Sequence, residues 1–231
     1  MEKINVTSLV PKELRINEAL KTLRTNLMFS GPSVRVVGFT SFGPGEGKTT
    51  LSLQTAIAFA QMGKRVLLVD ADLRKSVLAG QLRIRTKVEG LSHYLSGISN
   101  VNELLKETDM PGLYILLAGA RVPNSTELLG SENFARLIPA LKEVFDYVIV
   151  DTAPVGQVID CALMAPHLDG VVVVVDATRN SYKLERRVKN QLERSGGKIL
   201  GVVLNQVDTS LERGYYGKYY GGYNYYTDEK K

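Results

Sequence analysis

A glycine-rich segment near the start of the chain has the residue types of a phosphate-binding loop. Residues 40–50 contain Gly47, Lys48 and Thr49 in the order that such loops use, although Phe42 replaces the usual first glycine. Glycines let backbone amides turn toward phosphate oxygens, the lysine reaches the terminal phosphates, and the next hydroxyl can bind magnesium. The segment therefore predicts nucleotide binding. The residues predicted to bind the nucleotide here are Gly43, Pro44, Gly45, Glu46, Gly47, Lys48, Thr49 and Thr50.

Aspartates follow two apolar runs further along the chain. Residues 67–69 lead into Asp70 and Asp72, and residues 148–150 lead into Asp151. Magnesium prefers carboxylate oxygens, and ligands bind at the carboxyl edge of a parallel sheet. Either run alone could end in an acid that caps a loop, but together with the phosphate loop they predict a magnesium–nucleotide site.

An amide side chain follows the last apolar run. Asn205 could bracket a purine through its donor and acceptor pair. The Asn-Lys-x-Asp signature of guanine-specific switches is approached, but Gln206 stands where the lysine belongs. We therefore predict that Asn205 contacts adenine rather than guanine.

The C-terminal segment differs in composition from the rest of the chain. Seven of the twelve residues in 215–226 are tyrosine and three are glycine, with no aliphatic residue to anchor a core. Glycine raises the entropy cost of ordering, so this segment is predicted to be a flexible tail. Its tyrosines are Tyr215, Tyr216, Tyr219, Tyr220, Tyr223, Tyr225 and Tyr226.

Short β-branched runs alternate with longer stretches of helical periodicity. Several of the runs are apolar throughout, which is typical of strands buried on both faces of a parallel sheet. The pattern predicts a three-layer α/β domain of the P-loop NTPase type, with a mostly parallel sheet flanked by helices. The predicted strands are residues 34–40, 65–70, 113–117, 147–151, 171–176 and 199–205, and the crossover helices are 48–62, 131–144 and 182–195.

A further amphipathic helix is predicted before the first strand, over residues 12–29. Its apolar stripe consists of residues spaced four, three and four apart. Beside the stripe, Glu18, Lys21 and Arg24 form one ridge because each is three residues from the next. The ridge is either a solvated charged face or a contact with the next copy in a ring.

Composition limits the classes of protein that the chain can belong to. It has 231 residues, of which 44% are apolar and 23% charged, so we expect one domain with short appendages. The longest aliphatic run, 171–175, is far shorter than a membrane-spanning helix, and the first residues lack a signal sequence. One cysteine and two histidines exclude a disulfide framework and a zinc cluster. The net charge of +5 fits acidic partners without choosing among them.

Taken together, these motifs resemble the bacterial tyrosine kinases of capsule and exopolysaccharide synthesis. The phosphate loop, the run Asp70-x-Asp72-x-Arg74 and the run from Asp151 to Pro154 match that family's nucleotide motifs, and the tyrosine tail matches its acceptor cluster. The resemblance implies ATP and Mg²⁺ as cofactors and catalysis by a set of four residues. These are Lys48, Asp70, Asp72 and Asp151.

The resemblance also implies a role for each of these residues. It implies that Lys48 holds the terminal phosphates and that Thr49, Asp72 and Asp151 bind the metal, directly or through water. Asp70 then orients the incoming tyrosine hydroxyl and takes its proton. The implied reaction is autophosphorylation of the tail in trans between copies.

The resemblance further implies partners and a domain organisation. The family's oligomerising pattern Glu-x-x-Arg-x-x-Arg is present here as Glu18-x-x-Lys21-x-x-Arg24, which favours the ring contact, although lysine lacks the planar fork of arginine. The regions are an oligomerisation helix in 1–30, a P-loop kinase domain in 31–208 and the tail in 209–231. The split form implies a cytoplasmic chain recruited to the inner face of the membrane by an activator of the polysaccharide chain-length-regulator type. A cognate tyrosine phosphatase and other protein substrates are also expected.

Two other functions compete with this interpretation. Chromosome-partition and division-site ATPases use the same loop and sheet as a switch, but they carry a second lysine where this chain has Gly43. Their function as switches also gives no reason for seven tyrosines near the end of the chain. A nucleic-acid binder could stack bases on the tail, but Lys218 is the sole basic residue among those tyrosines, so no nucleic-acid partner is predicted.

Overall fold

A seven-stranded sheet forms the centre of the molecule. The computed structural model describes residues 3–84, 86, 88–179 and 182–207. Within these residues the strand order is β3-β4-β2-β5-β1-β6-β7, and the β3–β4 pair alone is antiparallel. The strands are β1 Val36–Ser41, β2 Val66–Asp70, β3 Lys106–Glu107, β4 Leu113–Leu116, β5 Tyr147–Asp151, β6 Gly170–Asp176 and β7 Ile199–Asn205.

The central strands are buried along their whole length. Every residue of β1, β2 and β6 is buried, which explains why their sequences are nearly continuous in apolar residues. The strand predicted for each of these runs is present, with ends shifted by one or two residues. The two-residue edge strand β3 was not predicted because it is too short to show a pattern.

Helices cover both faces of the sheet. The four long helices lie where helical periodicity predicted them, whereas the short ones span one turn or little more and carry no readable period. The helices are α1 Leu14–Phe29, α2 Lys48–Ala60, α3 Leu78–Gln81, α4 Leu91–Leu95, α5 Val101–Leu104, α6 Ser125–Leu129, α7 Glu132–Val144, α8 Asp160–Met164 and α9 Tyr182–Arg194.

Two apolar cores separate the three layers. On the face covered by α1 and α2, Phe39 and Phe59 are fully buried, and the Phe59 ring stacks on Tyr147 with centroids 3.9 Å apart. On the other face, Phe134 and Leu137 of α7 belong to the same buried cluster as the odd-numbered valines of β6, and α7 packs against β5. The predicted fold class, a mostly parallel sheet between two layers of helices, is confirmed.

The N-terminal helix α1 packs against α2 along part of its predicted stripe. Leu20 and Leu27 are buried, whereas Ile16 is 43% exposed. Across the described ranges, no helix combines the length and the apolarity that a bilayer-spanning segment requires.

Candidate nucleotide-binding site

The strand order brings the predicted motifs to one edge of the sheet. Strand β5 lies between β2 and β1, so that Asp151 at its end is in register with Asp70 on one side and Phe39 on the other. The glycine-rich loop leaves β1 after Ser41 and ends where α2 begins at Lys48. Parallel topology therefore places the loop and the carboxylates next to each other, as the sequence predicted.

The loop has the backbone conformation of an anion-binding turn. Gly45 and Gly47 have φ angles of +81° and +89°, a left-handed conformation that other L-residues rarely adopt. Gly47 is also the N-cap of α2, whose 13 residues direct a partial positive charge at the loop. A β-carbon at Gly47 would collide with Nδ2 of Asn205, so a side chain at this position would have to displace the Asn205 amide.

Glu46 holds the first half of the loop through its side chain. Its carboxylate accepts hydrogen bonds from the backbone N–H groups of Phe42, at 3.2 Å, and Gly43, at 3.0 Å. The hydroxyl of Ser41 donates to the Gly43 carbonyl at 2.7 Å. Because the Glu46 side chain is engaged inside the loop, any contact between this residue and a phosphate falls to its backbone N–H.

The ammonium group of Lys48 lies at the centre of the predicted metal ligands. Its Nζ is 3.2 Å from Thr49 Oγ1, 3.5 Å from Asp72 Oδ2 and 3.6 Å from Asp151 Oδ1. Lys48, Asp72 and Asp151 are all buried. Three oxygens that converge on one cation form a position where positive charge is favoured.

These oxygens fit a magnesium ion that shares its ligands with a nucleotide. Mg²⁺ is usually held by one or two carboxylates, by waters and by substrate phosphates. In the part of the chain that the structure describes, no cluster of three or more acidic, histidine or cysteine side chains is arranged to hold a metal alone. The donor set therefore suits a metal that arrives with its nucleotide.

The deepest carboxylates of the site have raised pKa values. Burial, reinforced by the charge of Asp151, raises the pKa of Asp70 to about 7, although a hydrogen bond from the Ser76 hydroxyl opposes this. Burial also raises the pKa of Asp151 to about 6, against the lowering effect of the Lys48 charge. Asp70 thus changes protonation close to neutral pH.

A cavity of about 340 Å³ opens above this cluster. Its volume lies within the range of small-molecule sites. Predicted residues form part of its wall, namely Pro44, Gly45, Gly47, Lys48, Thr49 and Asp72. Gly43, Glu46, Thr50, Asp70, Asp151 and Asn205 lie outside the set of residues that line it.

Arg74 reaches the mouth of the cavity and is held there by a buried acid. Its Nε lies 2.8 Å from Asp160 Oδ2 and its Nη2 lies 3.1 Å from Asp160 Oδ1, which is the bidentate geometry of a strong ion pair. The same guanidinium donates to Thr126 Oγ1. The family motif identified Arg74, and Thr126 lies in a segment that also matches the family, but the contacts of Arg74 with Thr126 and Asp160 were not predicted.

Asn205, which was predicted to contact adenine, makes a different contact in the structure. Its Nδ2 donates to the carbonyl of Glu46 at 2.9 Å, and the neighbouring Gln206 donates to the carbonyl of Gly45 at 2.9 Å. The contact with adenine stays a prediction. The role of Gln206 was not foreseen, although its place beside Asn205 was the available signal.

The charged ridge of α1 is formed as predicted, and its charges have partners within the chain. Lys21 and Glu18 form an ion pair at 2.7 Å, while Arg24 Nη1 donates to the carbonyl of Ala58 on α2 at 3.0 Å. Contact with another copy stays a prediction. The seven tyrosines of residues 215–226 lie outside the described residues.

Comparison with known proteins identifies relatives that match most of the chain. Residues 34–193 match the family model described as an AAA domain. The tyrosine-protein kinase CpsD of Streptococcus agalactiae is 39% identical over 215 residues, which cover 93% of this chain and 94% of that protein. The crystal structure of the chimerical protein CapA2B2 matches with a TM-score of 0.80 at 36% identity, over 85% of this chain and 87% of that chain.

A more distant likeness concerns the fold. The septum site-determining protein MinD of Pyrococcus horikoshii, solved with Mg-ADP, matches with a TM-score of 0.63 at 24% identity, over 74% of this chain and 69% of that chain. The relatives of higher identity carry the assignment. The chain belongs to the family of bacterial tyrosine-protein kinases, as its motifs predicted.

Proposed function

We propose that this chain is an ATP-dependent protein-tyrosine kinase that phosphorylates its own tyrosine cluster in trans. The observation that carries the proposal is the convergence of Thr49, Asp72 and Asp151 on the Lys48 ammonium beside a cavity of ligand size. Phosphoryl transfer requires positioning and charge neutralisation more than covalent chemistry. A lysine, a helix N-terminus and clustered carboxylates meet that requirement.

The phosphate loop holds the triphosphate. Lys48 and the backbone N–H groups of residues 45–50 hold the β and γ phosphates of ATP, supported by the left-handed glycines of the loop. Thr49, Asp72 and Asp151 supply the oxygen ligands of Mg²⁺, which when bound neutralises the charge of the phosphates.

Asp70 orients the acceptor hydroxyl and accepts its proton. A general base works best when its pKa lies near the operating pH, and the Asp70 pKa of about 7 meets this condition. The phenol needs such help because its own pKa is near 10. Although Asp70 is buried, the exposed Ser76 already donates its hydroxyl to it, so a hydroxyl group from the surface can reach this carboxylate.

The acceptors are the seven tyrosines of residues 215–226 on a neighbouring copy. Copies associate into a ring through the ridge of Glu18, Lys21 and Arg24, which lies on a partly exposed face of α1. A separate membrane-anchored activator of the chain-length-regulator type, which the resemblance to the split form implies, recruits the chain to the inner face of the membrane. A tyrosine phosphatase reverses the modification, and the cycle regulates capsule or exopolysaccharide synthesis and export. Other protein substrates of this kinase are also expected.

The competing function is a nucleotide switch without kinase activity. It is favoured by the likeness of the fold to MinD, but Gly43 takes the place of the second lysine of such switches. The two functions differ in product. A switch releases inorganic phosphate and leaves every tyrosine unmodified.

Intact mass measurement after incubation with ATP and Mg²⁺ separates these functions. The chain should gain phosphate on residues 215–226. The incubation is carried out in parallel with and without the cytoplasmic segment of a cognate activator. Lys48→Met removes the phosphate contact and Asp70→Ala removes the base, so both variants should stay unmodified. Release of phosphate with no gain in mass, even with the activator present, would refute the kinase proposal.

A further inference from the structure

Two successive amide side chains at the end of β7 donate hydrogen bonds to two successive carbonyl groups of the phosphate loop. Gln206 Nε2 donates to Gly45 O, and Asn205 Nδ2 donates to Glu46 O, both at 2.9 Å. These contacts join residues that are about 160 positions apart in the chain. We call this set of four groups the amide clasp.

The clasp fixes the direction of two N–H groups in the loop. In a trans peptide the carbonyl of one residue and the N–H of the next point in opposite directions. Because the Gly45 and Glu46 carbonyls point at β7, the N–H groups of Glu46 and Gly47 point away from it. Neither N–H has a hydrogen-bond acceptor among the described residues, so both are free to bind an anion.

The clasp is attached to the end of a paired strand. The Asn205 backbone is in register with Asp176 of β6, and its carbonyl accepts a hydrogen bond from Ala177 N at 2.9 Å. The amide of Asn205 also lies so close to Gly47 that a β-carbon at that position would displace it. The pairing of β7 with β6 therefore fixes the position of the phosphate loop relative to the sheet.

Gln206 adopts an unfavourable backbone conformation while making its contact. Its φ is +57°, in the left-handed region that residues other than glycine and asparagine seldom adopt. Such conformations persist where the surrounding structure imposes them, and they cluster at functional sites. Gln206 is exposed, so neither packing in the core nor burial of its amide accounts for the conformation.

We propose that Asn205 and Gln206 are positioning residues that preorganise the phosphate loop by aiming the N–H groups of Glu46 and Gly47 at the nucleotide phosphates. This inference rests on the nucleotide binding of the proposed function. It differs from the purine contact expected of Asn205, because a positioning residue acts on the phosphates whichever base is attached.

The test compares a ligand that has a base with one that lacks it. Binding of Mg-ADP is measured directly, and magnesium tripolyphosphate is measured as its competitor, for the full chain and for Asn205→Ala, Gln206→Ala and the double variant. Val207→Ala, at the adjacent exposed position outside the clasp, is the matched control. Thermal unfolding without ligand shows whether each variant is folded, and removal of the exposed Gln206 amide leaves the core unchanged.

Each single variant should weaken both ligands by the same factor, about three- to tenfold, which is the effect of one neutral hydrogen bond. Val207→Ala should bind both ligands as the parent does. Loss of ADP affinity with unchanged tripolyphosphate competition would overturn the proposal in favour of base recognition. Unchanged affinity for both ligands in the Gln206 variant would also overturn it. A parent chain that binds neither ligand would instead refute the proposed function itself, and the clasp with it.

Discussion

At the scale of single residues, the site concentrates negative charge where water cannot reach it. Asp70 is completely buried, and Asp151 is 1% exposed and next to it in register. Lys48 lies within 3.6 Å of Asp151 but does not fully offset the burial, because the pKa values of both aspartates are raised. A carboxylate held in this way lowers the stability of the ligand-free protein whenever it is ionised.

Asp70→Asn should therefore stabilise the ligand-free chain at alkaline pH. The folded-state pKa of about 7 lies above the unfolded value of 3.8, so the folded state binds more protons between these values and parent stability falls as pH rises through that window. The asparagine variant lacks this loss. Chemical denaturation should show it more stable at pH 8, by on the order of 2–4 kcal/mol, with a much smaller difference near pH 4.

Asp169→Asn is the control of opposite sign. Burial alone would raise the pKa of Asp169, but hydrogen bonds from Lys142, Val36 and Arg35 outweigh it and hold the pKa below its usual value. Its ionised form stabilises the fold above pH 4, so the asparagine variant should be less stable at pH 8. If Asp70→Asn also lost stability at pH 8, the electrostatic description of the site would be wrong.

Ser76→Ala should move the pH dependence of the kinase reaction. The Ser76 hydroxyl lowers the pKa of Asp70. Its removal raises that pKa, so the basic carboxylate forms only at higher pH. The rising limb of kcat/KM against pH should shift to higher pH. Ser99→Ala, which removes the hydroxyl of a partly exposed serine that donates to Glu89, should leave the limb in place. If the rising limb of kcat/KM against pH were the same in Ser76→Ala as in the parent, Asp70 would not be the general base.

At the scale of elements, the phosphate loop depends on one glycine more than on the others. Gly47 needs both its left-handed φ of +89° and the absence of a side chain, since a β-carbon would collide with Asn205. A left-handed non-glycine residue costs about 1–3 kcal/mol before any collision is counted. The requirement comes from the junction between β1, α2 and β7 rather than from the loop alone.

Gly47→Ala should thus weaken ATP binding by roughly tenfold or more, measured by titration calorimetry. Gly43→Ala is the matched change within the same loop, because its φ is not in the left-handed range and its β-carbon would make an ordinary contact of 3.5 Å with Glu46 Oε1. That variant should bind as the parent does. Equal losses in the two variants would show that the loop tolerates no change at all, against the specific role assigned to Gly47.

The sequence predicted elements where many residues share one pattern and failed where a single contact decides. Continuous β-branched runs located the six strands other than β3, and a 3.6-residue period located the four long helices. The amide clasp and the Arg74–Asp160 pair each join residues more than 80 positions apart, and no local period records such a meeting. Asn205 shows the limit well: its importance was predicted from its type and place, but the group that it contacts was set by sheet topology.

At the scale of the whole molecule, the proposed reaction would change the net charge of the chain and, with it, the proposed assembly. The unmodified chain carries a net charge of +5, and each phosphotyrosine adds about −1.5 to −2. Modification of all seven tyrosines therefore adds roughly −10 to −14 and reverses the sign of the net charge. In the proposed ring, modified copies would repel one another and a modified tail would leave the site of its neighbour, so both effects would oppose assembly.

Phosphorylation should accordingly convert an oligomer into a monomer. Sedimentation velocity should show a large species for the unmodified chain and a single copy after incubation with ATP and Mg²⁺. A variant with phenylalanine at all seven tail tyrosines should remain large after the same incubation. Identical sedimentation of the modified and unmodified chains would contradict the link between tail charge and assembly.

Transfer between copies is tested most directly by mixing two complementary variants. One carries Lys48→Met and keeps its tyrosines, and the other keeps Lys48 but has phenylalanine in place of the seven tail tyrosines. After incubation with ATP, Mg²⁺ and the activator segment, mass measurement should find phosphotyrosine in residues 215–226 of the Lys48→Met chain. If that chain stays unmodified in the mixture while the parent phosphorylates itself, transfer occurs within one copy and the trans reaction is contradicted.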